Sequence, residues 1–518
     1  MLDLYFNKIQ LFLYHNNKRA KMEKEKELNN EFNLPIVGKK RIALYNGFVG
    51  QSDRVEIKGQ VVDIPVLENY LNENWDIFCM LPQSMINRFR AVQDINMGIV
   101  RNPRIQIDII PYEDKSIDKL LDVKPIASVP NLTANTFGIF ELPLKKIIPK
   151  LESGKYLIRT HLKGTDSIRQ NFLDLAFLTT GMNPLFSQEL PIGFGRLSIL
   201  PNNYEDFVII SDIDKTFLNT RFEDRQGLLE TLLERIENKQ PIPGMDELYR
   251  KIKHYEYPLI FISASPSFFH RVLEGVFKRF QIPIDGLYLK KVTNPVSNIS
   301  TKIFNVITNI NEYLNQGINE MLNRSVKFLN ATMQTMVDQT AYKLKVLLFL
   351  RKMQPTFAKE IFIGDNTESD FLIITLYQLL LTGAIEEEQI VSFLYNLRFK
   401  GKDAINRDLA YQIFQLVKDN YQIHGKVNPI YAAFIHRAYS IPDQNGIYEL
   451  LEETLGKSID ELINLKIKLP VVYENMWELA LNLYQKNVLN KNDLIELGRY
   501  YSKINPEYRE KIEKDIPK

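Results

Sequence analysis

The stretch Phe207-Val208-Ile209-Ile210-Ser211-Asp212-Ile213-Asp214-Lys215-Thr216 decides how this chain is read. Its apolar, β-branched first half is the pattern of a strand buried on both faces of a parallel sheet. Its second half sets two carboxylates at the carboxyl end of that strand, where open α/β sheets bind ligands. Asp212 suits a carboxylate nucleophile, and Asp214, two residues on, a proton donor and acceptor. Alone, such a pair also fits a solvated turn or a helix cap.

Three later segments give it company. Leu259 to Ile262 is strand-like and ends in Ser263, Ala264 and Ser265, where a hydroxyl and a backbone N–H suit a phosphoryl oxygen, Ser263 first and Ser265 in reserve. Lys343 opens the helical pattern Tyr342 to Leu350 and offers an ammonium to a phosphoryl group and its attacking carboxylate. Ile361-Phe362-Ile363-Gly364-Asp365-Asn366, followed by Asp370, is another apolar strand, a glycine turn and carboxylates. Carboxylate oxygens gathered beside phosphate oxygens and water are what Mg²⁺ prefers. Each segment has a bland structural reading, but the order and the shared strand-then-loop context are hard to produce by accident.

This set resembles the four motifs of the haloacid dehalogenase superfamily of Mg²⁺-dependent phosphatases. Within it, SDIDKT at 211–216, PIPGMDELY at 241–249, FISASP at 261–266 and GDNTESD at 364–370 are most similar to the phosphatidate phosphatase catalytic domain of the lipin-related actin patch protein family. The upstream run RIALYNGFVGQSDRVEIKGQVVD resembles the region that precedes this domain in many members. The resemblance implies that Asp212 attacks phosphorus and binds Mg²⁺. Asp214 would protonate the leaving alkoxide, activate water and turn its carbonyl to the metal. It further implies that Ser263 binds the transferring phosphoryl, that Lys343 balances its charge, that Thr216 steadies the loop and with Ser265 serves the substrate side, that Asp365 ligates the metal, and that Asp370 orients the metal shell or pairs with Lys343. Glu368 receives no role. Lys215 stands where relatives commonly carry an acid, and the stretch from Ser263 to Lys343 is longer than a compact member needs.

Composition bounds the rest. The 518 residues suffice for about three domains, and 45% hydrophobic with 25% charged residues is ordinary globular usage. A single cysteine, Cys79, excludes an internal disulfide framework or a cysteine-rich zinc site and fits a reducing compartment. A net charge of +2 gives no global reason to expect nucleic acid. No apolar run reaches the ~18 to 20 residues of a spanning helix, so a soluble or peripheral cytoplasmic protein is expected.

Residues 1–40 read as an N-terminal helix and charged linker. Leu2, Phe6, Ile9 and Leu13 keep helical spacing, and Asp3 and Lys8 interrupt any signal-peptide core. With Lys18, Arg19, Lys21, Lys24 and Lys26 behind it, this helix suits either an anionic membrane surface or packing on the protein itself. Residues 41–200 carry strand signals at Arg54 to Val62, Arg104 to Ile110, Thr136 to Leu142 and Lys155 to Leu162, which suggests a β-sandwich-like domain. Pro191, Gly193, Gly195 and Pro201 read as punctuation before the next domain.

Residues 201–382 are expected to form the Rossmann-like haloacid dehalogenase phosphatase domain. A helical insert at 297–340 has an apolar face, from Ile299 to Leu322, that serves as a cap, a membrane contact or core. Residues 383–518 read as an α-helical C-terminal region. The expected reaction is phosphomonoester hydrolysis, with phosphatidate as leading substrate. A soluble phosphomonoester or phosphoprotein stands as alternative, as does a non-catalytic phospholipid-binding module, against which the intact Asp214 argues.

Overall fold

The computed structural model describes residues 39–65, 98–112, 120, 123–164, 191–220, 236–290, 339–367, 369–399, 402–440 and 442–516. The N-terminal helix, nearly all of the 297–340 insert and Glu368 lie outside the described residues.

The first part of the chain is built from two sheets. One joins β1 (Lys39–Tyr45), β3 (Glu56–Pro65) and β4 (Gly98–Ile99), with β7 (Ile139–Pro143) also paired to β3. The other runs β2-β9-β8-β5-β6, from Phe48–Gly50, Pro191–Ile199, Gly154–Gly164, Arg104–Pro111 and Ala127–Thr133. Alternation sends Ala43, Ile57, Val61 and Phe140 of the first sheet, and Ile105, Ile107, Ile158 and Leu197 of the second, into one shared apolar core. The Pro191 to Pro201 stretch corrects its reading as punctuation, because most of it is β9. A Cβ on Gly193 would come within 2.4 Å of the Ala43 carbonyl oxygen, so this glycine marks close backbone approach and not a turn.

The second part is a six-stranded parallel sheet of order β12-β11-β10-β13-β16-β17, from Gly286–Lys290, Leu259–Pro266, Phe207–Asp212, Lys359–Asp365, Ile430–His436 and Val471–Tyr473. Every residue of β10 is buried. Phe207 and Ile209 face a core closed by helices Met245–His254, His270–Arg279 and Met476–Gln485. Val208 and Ile210 face a second core closed by helices Gln339–Met353, Asp370–Thr382 and Arg407–His424. A sheet covered on both faces explains why its strands read as unbroken apolar runs. Between helices Asp370–Thr382 and Arg407–His424 lie a short helix, Ile390–Asn396, and a small antiparallel pair, β14 (Arg398–Phe399) and β15 (Lys402–Asp403).

The region after 383 is helical, as expected, with further helices at Gln444–Leu455, Lys491–Ile504 and elsewhere. It also supplies β16 and β17, which extend the sheet past residue 382. The β16 segment IYAAFIH, buried at every position but Tyr431, shows no period-2 alternation, and among helical neighbours periodicity cannot separate it from a helix.

The amino end of β13 carries a test of burial. Glu360 is fully buried, accepts from the Tyr377 hydroxyl at 2.8 Å and lies 3.7 Å from an Arg351 guanidinium nitrogen. Burial, only partly offset by Arg351 and Tyr377, raises its carboxyl from the ordinary 4.5 to about 7. Between those two pH values the folded protein holds a proton that the unfolded chain has lost. Stability therefore falls as pH rises from about 4.5 to about 7 and is level above that. Glu360→Gln should consequently gain stability relative to wild type by roughly 2–3 kcal/mol between about pH 5 and pH 8, read from denaturant midpoints. A constant difference would contradict the burial argument.

Candidate active site

Strands on both sides of β10 are reached by opposite routes, through β11 to β12 on one side and to β13 on the other, so the β10/β13 boundary is the topological switch point of the sheet. The charged residues converge there. Asp212 ends β10, Asp365 ends β13, and Ser263 lies in β11 beside them. Asp370 is the first residue of the Asp370–Thr382 helix, where the amino-terminal end of the helix dipole favours a carboxylate.

Asp212, Asp365 and Asp370 are all buried, and each offers a carboxylate oxygen within 4.8 Å of the others. Lys343, 1% exposed and projecting from the Gln339–Met353 helix, places its Nζ 2.7 Å from Asp212 Oδ1 and 2.6 Å from Asp370 Oδ1. The other Asp370 oxygen accepts from the Asp365 amide at 3.3 Å, and Asp365 Oδ1 accepts from the Thr367 amide at 2.6 Å. Gly364 is required by this packing, since a Cβ there would lie 2.5 Å from Asp370 Oδ2. Three buried carboxylates against one ammonium leave an excess of negative charge. All donors are hard oxygens, so the set fits a small divalent cation such as Mg²⁺.

Asp214 stands apart from this cluster. Its Oδ2 accepts from Ser263 Oγ at 3.0 Å and from Ser265 Oγ at 3.1 Å, and Ser263 Oγ in turn accepts from the Ser265 amide at 3.0 Å. It is less buried than Asp212, as a group that meets substrate and water must be. The turn that carries it is closed by the Lys215 amide to the Leu218 carbonyl at 2.8 Å and the Phe217 amide to the Ile213 carbonyl at 2.9 Å. Thr216 is fully buried inside this turn, with no hydrogen-bond partner for its hydroxyl among the described residues.

Several neighbours were not singled out by sequence reasoning. Ser211 donates to the Asp212 carbonyl at 2.7 Å and lies 2.6 Å from the Tyr249 hydroxyl. Burial holds the Tyr249 phenol well above its ordinary range, against the Ser211 hydrogen bond and with the Asp212 charge adding to the rise. Tyr473, at the end of β17, is raised by burial and then by Tyr249, Asp365 and Asp212. His436, at the end of β16, donates from Nδ1 to the Lys215 carbonyl at 2.5 Å. Burial lowers its basicity, against the carbonyls of Lys215 and Glu474. Ser211 in SDIDKT, Tyr249 in PIPGMDELY and Asn366 in GDNTESD lay inside the quoted motifs, whereas Tyr473 and His436 had no local signal.

The fold and site define a class: a parallel α/β protein with a buried acid cluster and one ammonium at the switch point of its sheet. Residues 207–324 match the family model described as phosphatidate phosphatase APP1, catalytic domain. This is the family that the motifs resemble. No curated protein matches the chain. The match contains SDIDKT and FISASP but ends before Lys343, Asp365 and Asp370, which the sheet and its helices bring to the same crevice.

Charge balance makes a prediction. Lys343→Met leaves the buried carboxylates uncompensated and should cost about 3–5 kcal/mol of stability. Adding Asp370→Asn should restore more than about 1 kcal/mol of that loss, because the two changes share one interaction. Denaturant unfolding of the three variants checks this, and strict additivity would show that the ammonium is not balancing that acid.

Proposed function

We propose that this chain is a Mg²⁺-dependent phosphatase that hydrolyses phosphatidate to diacylglycerol and phosphate through an aspartyl-phosphate on Asp212. The observation that carries the reading is the convergence of Asp212, Lys343, Asp365 and Asp370 on one buried point, with Asp214 and two serine hydroxyls beside it. The substrate class comes from the matched family, whose description names a phosphatidate phosphatase. The haloacid dehalogenase reading of the domain has the same support.

In this mechanism an Asp212 carboxylate oxygen attacks phosphorus in line, and the bond from phosphorus to the diacylglycerol oxygen breaks. Asp214 delivers its proton to that departing oxygen. It then takes a proton from water, whose oxygen attacks the phosphoryl group and releases Asp212 as the carboxylate with free phosphate. The Ser263 hydroxyl and nearby amides would hold a non-bridging phosphoryl oxygen, with Ser265 and Thr216 shaping the same wall. Lys343 keeps Asp212 ionised and oriented and offsets charge on the transferring group. Asp212, Asp365, Asp370 and the Asp214 carbonyl would hold Mg²⁺, whose chemistry is to neutralise phosphoryl oxygens and fix the geometry of displacement.

Among the described residues no helix is long and apolar enough to cross a membrane. The enzyme would therefore meet a lipid substrate as a peripheral protein at a cytoplasmic membrane face, in keeping with its single cysteine.

Phosphate release should be assayed from dispersed phosphatidate and from a panel of soluble phosphomonoesters, each with Mg²⁺ and with chelator. The expected result is turnover of phosphatidate that chelator abolishes and Mg²⁺ restores. Asp212→Asn should lower it by at least about a thousandfold. Full turnover in chelator would remove the metal, and preference for a soluble ester would remove the lipid.

A further inference from the structure

The loop that follows β16 is fastened to both acid-bearing turns, and one of its side chains grips the residue beside Asp214. Lys215 has a backbone φ of 57°, in the left-handed region that residues with a Cβ rarely adopt. It persists there because it is held on several sides. Its carbonyl accepts from His436 Nδ1, and its amide donates to the Leu218 carbonyl. Its side chain is buried, with Nζ 4.0 Å from the centre of the Tyr439 ring, toward its hydroxyl end, and hydrogen-bonded to the Tyr439 hydroxyl.

Tyr439 is itself anchored from the other acid turn. Its amide donates to Asn366 Oδ1 at 3.2 Å, and its carbonyl accepts from Asn366 Nδ2 at 2.9 Å. The same Asn366 amide nitrogen reaches the Pro442 carbonyl at 2.8 Å, and the Asn366 backbone N–H donates to the His436 carbonyl at 3.0 Å. Asn366 directly follows Asp365, and Lys215 directly follows Asp214. Residues 436–442 therefore span from the metal-side acid to the proton-transfer acid. The Tyr439 ring is 37% exposed, at the carboxyl edge of the sheet where the crevice opens.

We infer that Tyr439 is a positioning residue for Asp214: its ring face and hydroxyl hold the Lys215 ammonium, and through it the strained turn that aims the Asp214 carboxyl at the leaving-group oxygen. A ring face carries the negative end of an aromatic quadrupole, so it retains a cation where an aliphatic side chain would not. Proton transfer is sensitive to displacements of a few tenths of an ångström, and a turn held in an unfavourable conformation relaxes when one of its holds is removed. The inference rests on the acid role given to Asp214 above.

The test compares kcat/KM, which reports the steps up to departure of the leaving group, on p-nitrophenyl phosphate, which needs little help to leave, and on dioctanoyl phosphatidate, whose alkoxide needs a proton. Measurements use the full chain with Mg²⁺. Tyr439→Ala should lower kcat/KM on the lipid about tenfold or more and on the aryl ester less than about threefold, with melting temperature little changed. Tyr439→Phe, which keeps the ring but loses the hydroxyl, should recover only part of the loss. In a Lys215→Ala background Tyr439→Ala should have little further effect, because both act through one contact.

Asp214→Asn on the same pair of substrates separates the two levels of the argument. If Asp214→Asn is selective for the poor leaving group and Tyr439→Ala slows both substrates equally or neither, the positioning role is overturned while the acid role stands. If Asp214→Asn shows no selectivity, both fall.

Discussion

The Lys343 ammonium, buried between Asp212 and Asp370, is the interaction on which the rest of the site depends. Parallel strands end together, so β10 and β13 bring their terminal aspartates into one crevice whether or not the charges favour it. Like-charged carboxylates removed from water repel, and without compensation one of them would take up a proton. An ammonium bonded to two of the three offsets that repulsion and fixes their orientation. The remaining negative charge makes the cluster receptive to a divalent cation and a phosphoryl group, which is the chemistry proposed for it.

The surrounding architecture serves that constraint from three parts of the chain. Helix Gln339–Met353, which carries Lys343, is packed on the sheet through Leu344, Leu347 and Leu348. Its far end is tied to the two-sheet platform by the Gln51 amide to the Met353 carbonyl at 2.8 Å and by Arg54 to the Gln354 carbonyl at 3.2 Å. Strand β12 is tied to the same platform by the Tyr288 hydroxyl to the Gly47 carbonyl at 2.9 Å. On the other side β16 and β17 bring His436, Tyr439 and Tyr473 against the acid turns. The C-terminal third thus supplies strands to the sheet that carries the candidate site.

What was legible in the sequence follows from how local each signal is. Asp212, Asp214, Ser263 and Asp365 were readable because each lies within four residues of the end of a short apolar run, and a strand end places its next residues without help from elsewhere. Lys343 was readable only through its order among the motifs, since a lysine on a helix has no distinctive local pattern. The platform strands showed their alternation because each sheet has one buried face. Gly193 was misread because a glycine that admits a neighbouring strand looks like one that makes a turn. His436 and Tyr439 gave no signal, because their contacts with Lys215 and Asn366 cross long sequence separations.

The central claim is that Asp212 carries the phosphoryl group. Phosphatidate labelled with ³²P in its phosphate should be turned over with Mg²⁺, quenched in acid during the steady state and reduced with borohydride, which converts an aspartyl phosphate to homoserine. Peptide mapping should then place the label before reduction, and homoserine after it, at Asp212. Homoserine or label at another residue, or full turnover with no labelled protein, would contradict the account.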